Sequence, residues 1–386
     1  MRLTYFLAAA LLFVGCCNTP SNELNLMKAE DFRATVDGKT TDLYLLTNGT
    51  LTMQVTTFGA RVVSLWAPDR EGNMADIVLG YEKIDRYINN TGERFLGSVV
   101  GRVANRIGAG KFTLEGTEYT TPKNYNGQTL HGGDKGLDMV VWDVVSLTEN
   151  SIVLHYIAPD GQDGFPGNLD ITMTYTLTPE NEFRVDYRAT TDKTTVVNLS
   201  HHSFFNLKGE AGGTITDHIL QIDADSITPT DSNLIPTGEI RPVAGTAYDF
   251  RTAHAIGDMI DSSDEQLAAG RGYDMNWVLN REENGEVVRV LTLYEPQSGR
   301  AMDVMTDQIA LQFYSGNFFD GSYTGKYSRP LAFRESVVFE TQRYPDAPNH
   351  RNFPSVVLRP EEEYRHTCVY RFYTKKYEWS DFSQTV

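Results

Sequence analysis

The stretches I-T-M-T-Y-T-L, residues 171–177, and F-R-V-D-Y-R-A, residues 183–189, decide the fold class of this chain. In each stretch apolar and polar side chains alternate, and β-branched or aromatic residues are frequent. A period of two is typical of a strand that buries one face. Residues 52–58 and 287–294 follow the same pattern, and Asn-Gly and Asp-Gly turn signals recur along the chain. The sequence therefore predicts an all-β protein of antiparallel strands.

No linker, composition break or internal repeat divides residues 29–386. A single unit of this size is too large for a small barrel, so we expect one domain with a large antiparallel β-sandwich fold. Asn284-Gly285 lies between two strand-like runs and predicts a tight hairpin turn, because both positions tolerate positive φ. The best helix candidate is the acidic segment 258–269, which is followed by Gly270.

The chain has 386 residues and a formal net charge of −17. A surface this acidic repels phosphate backbones, so no nucleic-acid partner is expected. A neutral ligand such as a sugar is neither attracted nor repelled. Beyond Cys16 and Cys17 there is only Cys368, which excludes a disulfide framework and predicts a buried, inert thiol in an aromatic-rich strand.

Residues 1–15 are predicted to be a lipoprotein signal peptide. Arg2 precedes the apolar stretch 6–14, which is too short to span a bilayer. The tetrapeptide F-V-G-C resembles a bacterial lipoprotein box and predicts lipidation of Cys16, with residues 16–28 as a polar tether. An ordinary secretory signal is the alternative. Both predict export, and the first predicts a lipid-anchored protein on the periplasmic or cell-surface side, in contact with the membrane only through its lipid.

The run V-V-F-E-T-Q-R-Y-P-D-A-P-N, residues 337–349, contains a candidate catalytic carboxylate. Three apolar residues lead to Glu340 and a proline-containing turn follows, as in a buried strand that runs into a rigid loop. Partial burial raises the pKa of a carboxylate and strengthens it as a base near neutral pH. On this run alone, a solvated glutamate at a strand end is the alternative.

Two arginines lie in S-V-V-G-R-V-A-N-R-I-G, residues 98–108. The valines around Arg102 and Arg106 indicate burial, and a buried guanidinium needs oxygen partners. The segment is not a phosphate-binding loop, because Asn105 stands where that motif requires glycine.

Several other polar side chains are candidates for a site. His131 precedes two glycines, where a ligand can approach the backbone closely, although a turn histidine can also be structural. His201 and His202 are adjacent, so in a strand they point to opposite faces and make a poor metal chelate. Asp274 lies in a predicted loop, and Gln312 lies inside an apolar strand, where it must find partners or a ligand.

The aromatic residues near these groups could stack on sugar rings or belong to the core; they are Trp277, Phe313, Tyr314 and Phe318. No zinc-ligand spacing, Gly-x-Ser-x-Gly elbow, dinucleotide fingerprint or Cys-His pair is present. The inventory fits proton transfer on a neutral polyhydroxylated ligand, with no metal, cofactor or covalent nucleophile required.

Six motifs, taken together and in order, resemble those of the aldose 1-epimerases, the galactose mutarotase family. They are G-R-V-A-N-R-I, L-H-G-G, H-S-F-F-N-L, Y-D-M-N, L-Q-F-Y-S-G-N-F and E-T-Q-R-Y-P-D-A-P-N. Each motif alone is weak, but six in family order are specific, and the resemblance covers roughly residues 30–380. It implies a galactose mutarotase-like supersandwich and the interconversion of the α and β anomers of free aldoses such as galactose and glucose.

By position in these motifs, the resemblance implies that Glu340 takes the proton from the C1 hydroxyl and that His202 protonates the ring oxygen. His131 would assist at the ring side. The residues implied to bind sugar hydroxyls are Asn105, Arg106, Asp274 and Gln312. The family usually has Asn in place of His201, which leaves the role of His201 open.

From this mechanism we expect the acid and the base to flank the sugar on opposite sides of C1. We also expect a broad optimum at about pH 6–7, given the ordinary pKa values of glutamate and histidine. Two alternatives stay open: a membrane-anchored sugar-binding module without catalysis, and a glycoside hydrolase with Glu340 and Asp274 as its carboxylate pair. In either case the expected partner is a small sugar, and we expect a monomer.

Overall fold

A computed structural model describes residues 24–210 and 212–375 of the chain. The predicted signal peptide, Cys16 and most of the predicted tether lie outside these residues. Within the described residues no helix has both the length and the apolar character needed to cross a membrane.

Strands dominate the described chain, as the alternating stretches predict. The first ten are β1 Thr35–Val36, β2 Lys39–Thr40, β3 Leu43–Thr47, β4 Thr52–Thr56, β5 Arg61–Pro68, β6 Met74–Asp76, β7 Ser98–Val100, β8 Arg106–Ile107, β9 Lys111–Leu114 and β10 Thr117–Thr120. The next ten are β11 Thr129–Leu130, β12 Asp143–Leu147, β13 Ser151–Ala158, β14 Leu169–Leu177, β15 Glu182–Thr191, β16 Thr195–Val196, β17 Ser200–His202, β18 Ile219–Ile222, β19 Ala224–Thr228 and β20 Arg241–Pro242. The remainder are β21 His254–Ala255, β22 Asp274–Leu279, β23 Val288–Tyr294, β24 Arg300–Thr306, β25 Ala310–Tyr314, β26 Val338–Gln342, β27 Val357–Leu358 and β28 Tyr364–Thr374.

Helices are short in the described chain. The α-helices are α1 Ile84–Ile88 and α2 Glu265–Gly270. The 3₁₀ turns are Ala29–Phe32, Gly108–Gly110, Leu137–Met139, Gln162–Gly164, Ile256–Asp258, Lys326–Ser328 and Ala347–Asn349.

Most of the described strands form two layers of antiparallel sheet, and the others pair in five two-stranded sheets. The first layer is a nine-stranded sheet in the order β12-β13-β14-β15-β28-β24-β23-β18-β21. The opposing layer contains a five-stranded sheet, β20-β19-β22-β25-β26, and a four-stranded sheet, β3-β4-β5-β6. One cluster of buried apolar side chains draws on all three sheets. The all-β fold and the large antiparallel sandwich expected from the sequence are confirmed.

Two tyrosine hydroxyls of the nine-stranded sheet bridge the layers. Tyr175 donates a hydrogen bond to the carbonyl oxygen of Ala60 at 2.8 Å. Tyr370 donates to the carbonyl oxygen of Phe339 at 2.9 Å. Both side chains are fully buried, so each hydroxyl needs such a partner. The second bond holds β26 against the layer below it, at the residue that precedes Glu340.

Two local predictions need correction. Asn284-Gly285 does not close a hairpin, because the flanking strands β22 and β23 belong to different sheets and do not pair with each other. Only the end of segment 258–269 is α-helical: Asp264 caps α2 by accepting hydrogen bonds from the amides of Gln266 and Leu267. A cap at that position starts the helix there and leaves the preceding residues in a 3₁₀ turn and loop.

Candidate active site

A cavity of about 280 Å³ opens at the end of the five-stranded sheet. Six of the seven residues predicted for catalysis and sugar binding line it, namely Asn105, Arg106, His131, His202, Asp274 and Glu340. Its volume is near the lower end of small-molecule pockets, which begin at about 300 Å³. The cavity therefore suits a ligand of about the size of one sugar.

The polar face beneath the cavity comes from the alternation of side chains in three neighbouring strands. Glu340 on β26 is paired in register with Gln312 on β25, which is paired with Asn276 on β22. Residues directly opposite each other point to the same face of a sheet. Phe313 and Phe339, one position along, point to the other face and are fully buried in the core. One face of this sheet is thus core and the other is polar.

His202 reaches the cavity from β17, which pairs with β7 and packs beside β26. His201 points to the opposite face, as expected for adjacent strand residues, and its ring contacts Tyr175 and Phe183 in the core. His201 Nε2 lies 2.6 Å from the hydroxyl of Ser203. His201, whose role the sequence left open, is therefore a packed and hydrogen-bonded core residue outside the cavity.

His131 is held in place by the backbone of Asn105. The amide of Asn105 donates to His131 Nδ1 at 3.1 Å, and the amide of His131 donates back to the Asn105 carbonyl at 2.8 Å. Because Nδ1 accepts a hydrogen bond, the neutral imidazole carries its proton on Nε2. The following glycine, Gly132, is required by packing, since a Cβ there would collide with the carbonyl oxygen of Gly101.

Arg106, Asp274 and Gln312 form a chain of contacts along the cavity. Arg106 donates to Asp274 Oδ2 at 3.2 Å, and Gln312 donates to Asp274 Oδ1 at 2.6 Å. Gln312 is not part of the cavity lining, and its Oε1 is buried. The structure therefore places Gln312 behind Asp274, where it fixes the carboxylate, whereas the sequence resemblance implied a direct sugar ligand.

The two residues implied as acid and base lie next to each other. His202 Nε2 is 3.6 Å from Glu340 Oε1, and His131 Nδ1 is 3.8 Å from Glu340 Oε2. The expectation that acid and base flank the sugar from opposite sides is not what the structure shows. They approach from adjoining strands because β17 packs beside β26.

Burial shifts the proton affinities of this pair in opposite directions. Desolvation, together with the negative charge of Asp274, raises the pKa of Glu340 well above its usual range, and Arg106 opposes the shift. Desolvation also lowers the pKa of His202 to about 3. The expectation of a free, protonated His202 at pH 6–7 is therefore wrong, because a lone imidazolium is costly in this site. Burial thus favours the neutral form of each of the two groups.

Three of these residues are close enough together to form a possible metal site. His131, His202 and Glu340 could each offer one ligand atom, all within 4.8 Å of one another. However, the Nδ1 lone pair of His131 already accepts the Asn105 amide. That leaves one imidazole and one carboxylate, which is fewer than the three protein ligands of a catalytic zinc site. The donor set fits hydroxyl groups better than a metal ion.

Aromatic residues complete the lining of the cavity. Of the four aromatic residues suggested by the sequence, two line the cavity and two belong to the core. Tyr314 and Phe318 line the cavity, with their rings stacked at 6.0 Å between centroids. Trp277 and Phe313 are fully buried in the core. Phe95, which the sequence did not suggest, contacts the His131 ring at 4.6 Å and the His202 ring at 5.8 Å. Phe95 lies in a loop, where neither alternation nor a motif in the sequence indicates that a residue faces a site.

Two structural expectations outside the cavity are met. Arg102 is buried and donates to the carbonyl oxygens of Ala158, Pro166 and Gly167. Cys368 is buried, and burial raises the pKa of its thiol to about 12, as expected for an inert group.

Comparison with known proteins gives a consistent result. The family model described as aldose 1-epimerase matches residues 42–371. The human galactose mutarotase is 40% identical over 336 residues, which cover 87% of this chain and 95% of that protein. The aldose 1-epimerase of Escherichia coli strain K12 is 34% identical over 332 residues, 86% of this chain and 94% of that one. A crystal structure of an aldose epimerase homologue from C. elegans superposes with a TM-score of 0.80 at 30% identity, covering 86% of this chain and 99% of that chain.

Proposed function

Because the chain belongs to the aldose 1-epimerase family, we propose that it interconverts the α and β anomers of free aldoses such as galactose and glucose, with Glu340 as base and His202 as acid. The observation that carries the proposal is the position of these two side chains. They face one cavity that suits a single sugar, with Nε2 and Oε1 3.6 Å apart.

The geometry matches the chemistry at the anomeric carbon. Mutarotation must move a proton off O1 and a proton onto O5, and both oxygens are bonded to C1. Groups that serve O1 and O5 must therefore lie beside each other, as Glu340 and His202 do. Each well-placed acid or base contributes about 10²–10⁴ in rate.

The proton transfers balance over a full cycle. In ring opening, Glu340 takes the proton from the C1 hydroxyl, His202 gives its proton to O5, and the C1–O5 bond breaks to leave an aldehyde. Rotation about C1–C2 then exposes the other face of the carbonyl. In closure O5 attacks C1, His202 takes back the O5 proton, and Glu340 returns its proton to O1. The pair holds one proton at the start and one at the end.

The surrounding residues bind and orient the sugar. Neutral His131 presents its Nε2 proton as a hydrogen-bond donor, since Nδ1 is already an acceptor. Asn105, Arg106 and Asp274 line the same cavity with amide, guanidinium and carboxylate groups that pair with hydroxyls. Holding the ring in one orientation keeps O1 and O5 against the catalytic pair.

The test is polarimetry of freshly dissolved α-D-galactose and α-D-glucose with wild type and Glu340→Gln. We expect the substitution to lower the rate by at least about 10²–10⁴, while calorimetry shows that galactose still binds. Glu118→Gln, at an exposed position, is the matched control. Wild-type rates in Glu340→Gln would remove Glu340 from the mechanism.

The hydrolase alternative has weaker support. Asp274, its second carboxylate, is engaged by Arg106 through one oxygen and by Gln312 through the other. A carboxyl that acts in hydrolysis must be free to meet the glycosidic oxygen or C1, and both oxygens of Asp274 are occupied by protein donors. A binding module without catalysis would not need the Glu340–His202 pair. Failure to release reducing sugar from a galactoside, with rapid mutarotation, would decide against both.

We also propose that the protein is exported and held at a bacterial membrane by a lipid on Cys16. The support is the arrangement of Arg2, the apolar stretch 6–14 and the F-V-G-C box in the sequence. Cys16→Ser should move the protein from the membrane fraction to the soluble fraction. An unchanged distribution would contradict the anchor. Sedimentation of the anchor-free protein would test the expected monomer.

A further inference from the structure

One wall of the cavity has no role in the mechanism above. It is formed by the loop between α1 and β7, which contributes Asn90, Gly92, Glu93, Arg94 and Phe95 to the lining. The residues implied by the family motifs all lie on other segments. This loop therefore adds chemistry to the site that the mechanism has not used.

Glu93 brings a third carboxylate to the cavity, beside Glu340 and Asp274. The amide of Phe95 donates to Glu93 Oε1 at 3.0 Å. Its other oxygen forms no hydrogen bond with a described residue. Glu93 lines the cavity, and a carboxylate oxygen without a protein partner is a strong acceptor for a ligand hydroxyl.

The neighbouring arginine makes its hydrogen bonds elsewhere and forms no ion pair with Glu93. Arg94 donates from Nε and from one terminal nitrogen to Asp138, at 2.7 and 3.0 Å, and also to the carbonyl oxygen of Gly133. Its guanidinium lies over the Phe95 ring at 5.0 Å. These contacts occupy the arginine and leave Glu93 without an ion pair to a described residue. Burial raises the pKa of Glu93, and the charges of Arg61 and Arg94 oppose that rise.

Glu93 is near several of the groups that line the cavity. It is two residues from Phe95, whose ring touches both His131 and His202. It is also near two tyrosines: after burial, its negative charge is the next cause that raises the pKa of Tyr81 and of Tyr314. Tyr314 itself lines the cavity. Glu93 thus lines the same cavity as His131, His202 and Tyr314.

We propose that Glu93 binds a hydroxyl of the aldose other than the one on C1 and that it is a specificity-determining residue of the site. Glu340 and His202 already serve O1 and O5, so a further acceptor can reach only the non-anomeric hydroxyls. Epimers differ in the direction of one such hydroxyl, and a fixed carboxylate accepts from one direction only. The test by KM values rests on the proposed function. The test by calorimetry requires only that the protein binds the sugar.

The experiment combines enzyme variants with substrates that lack single hydroxyls. Wild type, Glu93→Gln and Glu93→Ala are assayed by polarimetry with galactose, glucose and the 2-, 3-, 4- and 6-deoxy derivatives of galactose. We expect Glu93→Ala to raise KM for the preferred hexose about 10-fold or more, with kcat changed less than about threefold because the catalytic pair is untouched. Glu118→Gln, exposed and outside the site, is the matched control.

The hydroxyl that Glu93 binds is identified by a double-mutant cycle. One deoxy sugar should show a raised KM with wild type and no further rise with Glu93→Ala. Equal KM values for all sugars in wild type and both variants would overturn the proposal. So would a uniform loss for every sugar accompanied by a lower melting temperature in both variants, which would indicate a structural role.

Calorimetry of galactose binding separates this proposal from the proposed function. If wild type failed to mutarotate any sugar but bound galactose more tightly than Glu93→Ala, the function would fail and the role of Glu93 would stand. If mutarotation were rapid and unaffected by both Glu93 variants, the function would stand and Glu93 would be excluded.

Discussion

At the scale of single residues, the behaviour of the site depends on where one proton resides. Burial of Glu340 raises its pKa, and burial of His202 lowers its pKa to about 3. Neutral carboxyl with neutral imidazole, and carboxylate with imidazolium, are two forms of the same singly protonated pair. The low-polarity surroundings favour the first form at rest, and the proposed ring opening proceeds from the second. The pair is therefore poised for transfer in either direction.

The pH dependence of mutarotation follows from this pair. The singly protonated pair is lost at low pH, when a second proton binds near the lowered pKa of His202 of about 3. It is lost at high pH, when the pair gives up its proton near the raised pKa of Glu340. We therefore expect a plateau across neutral pH, falling as the pH approaches either limit. Initial rates corrected for spontaneous mutarotation measure it, with circular dichroism confirming the fold.

Two results would contradict this prediction. One is an acid limb centred at about pH 6.5, the ordinary histidine value. The other is a rate that continues to rise in the alkaline range. Either would show that burial does not set the proton affinities of the pair.

Gln312 and Asp274 should differ in their effects on binding. Asp274 lines the cavity, whereas Gln312 holds Asp274 from behind. A hydrogen bond to a charged group contributes about 1.5–3 kcal/mol, so Asp274→Asn should raise KM by about 10- to 100-fold. Gln312→Leu should raise KM only a few-fold. A larger loss in Gln312→Leu than in Asp274→Asn, measured by polarimetry, would mean that Gln312 contacts the sugar directly.

The sequence allowed the identities of the reactive groups to be predicted but not their environment. Glu340, His202 and His131 were recognised from the motifs, and the structure brings them together. The lowered pKa of His202 depends on burial by Phe95 and other residues far away in sequence, which no local pattern encodes. Glu93 was missed for a similar reason, because an isolated glutamate in a loop is solvated more often than not.

At the scale of elements, the site exists because short strands and tight turns are tied to one another. Asp346 illustrates this in the turn after β26. Its Oδ1 accepts the amide of Gly108 at 2.9 Å, and its own amide donates to the Arg106 carbonyl at 3.0 Å. The turn that follows Glu340 is thereby fastened to the strand β8 that carries Arg106.

Asp346→Ala should weaken both stability and binding. It removes a buried acceptor and leaves the Gly108 amide unpaired, which costs about 1–3 kcal/mol of unfolding free energy. The backbone bond to the Arg106 carbonyl is kept, but the side-chain bond to Gly108, two residues after Arg106, is lost, so KM should rise more than kcat falls. Chemical denaturation and polarimetry measure the two effects. Asp249→Ala, which removes a surface partner of Arg251, is the control and should leave KM unchanged. A wild-type KM in Asp346→Ala would show that the hydrogen bond between Asp346 and the Gly108 amide does not help to position Arg106.

Element boundaries were predictable where the local pattern alone determines them. Alternation located β14 and β15 because each has one face in the core and one outside. The same reasoning placed His201 and His202 on opposite faces. It failed at Asn284-Gly285, because a turn signal fixes the bend but not which strand pairs next, and β23 pairs with β18 and β24 instead.

At the scale of the whole molecule, the two-layer sandwich separates a dry core from a polar rim where the cavity opens. The existence of two antiparallel layers followed from the alternating stretches and the size of the chain. The sheet order did not, since β28 lies between β15 and β24, which are distant in sequence. Such long-range pairings are decided by packing across the core, which single-strand patterns do not specify.

The net charge of −17 predicts how salt affects the reaction. A neutral aldose is not steered by the protein's field, so kcat/KM for galactose should change less than about twofold between about 0.02 and 0.5 M salt. Galacturonate is repelled at low salt, and any turnover of it should rise as salt screens the field. Polarimetry at several ionic strengths tests both. A steep salt dependence for galactose would mean that a charged step limits the rate.

The burial of Glu340 and His202 in one cavity also determines whether dissolved buffer affects the enzymatic rate. A free sugar equilibrates its anomers with help from whatever dissolved acids and bases it meets, so richer buffers hasten the change. Inside this cavity Glu340 and His202 supply both the base and the acid, and each returns to its starting protonation state on ring closure. The reaction therefore needs no dissolved acid or base. Raising the concentration of imidazole or phosphate buffer at fixed pH should speed the spontaneous background and leave the enzymatic increment unaltered.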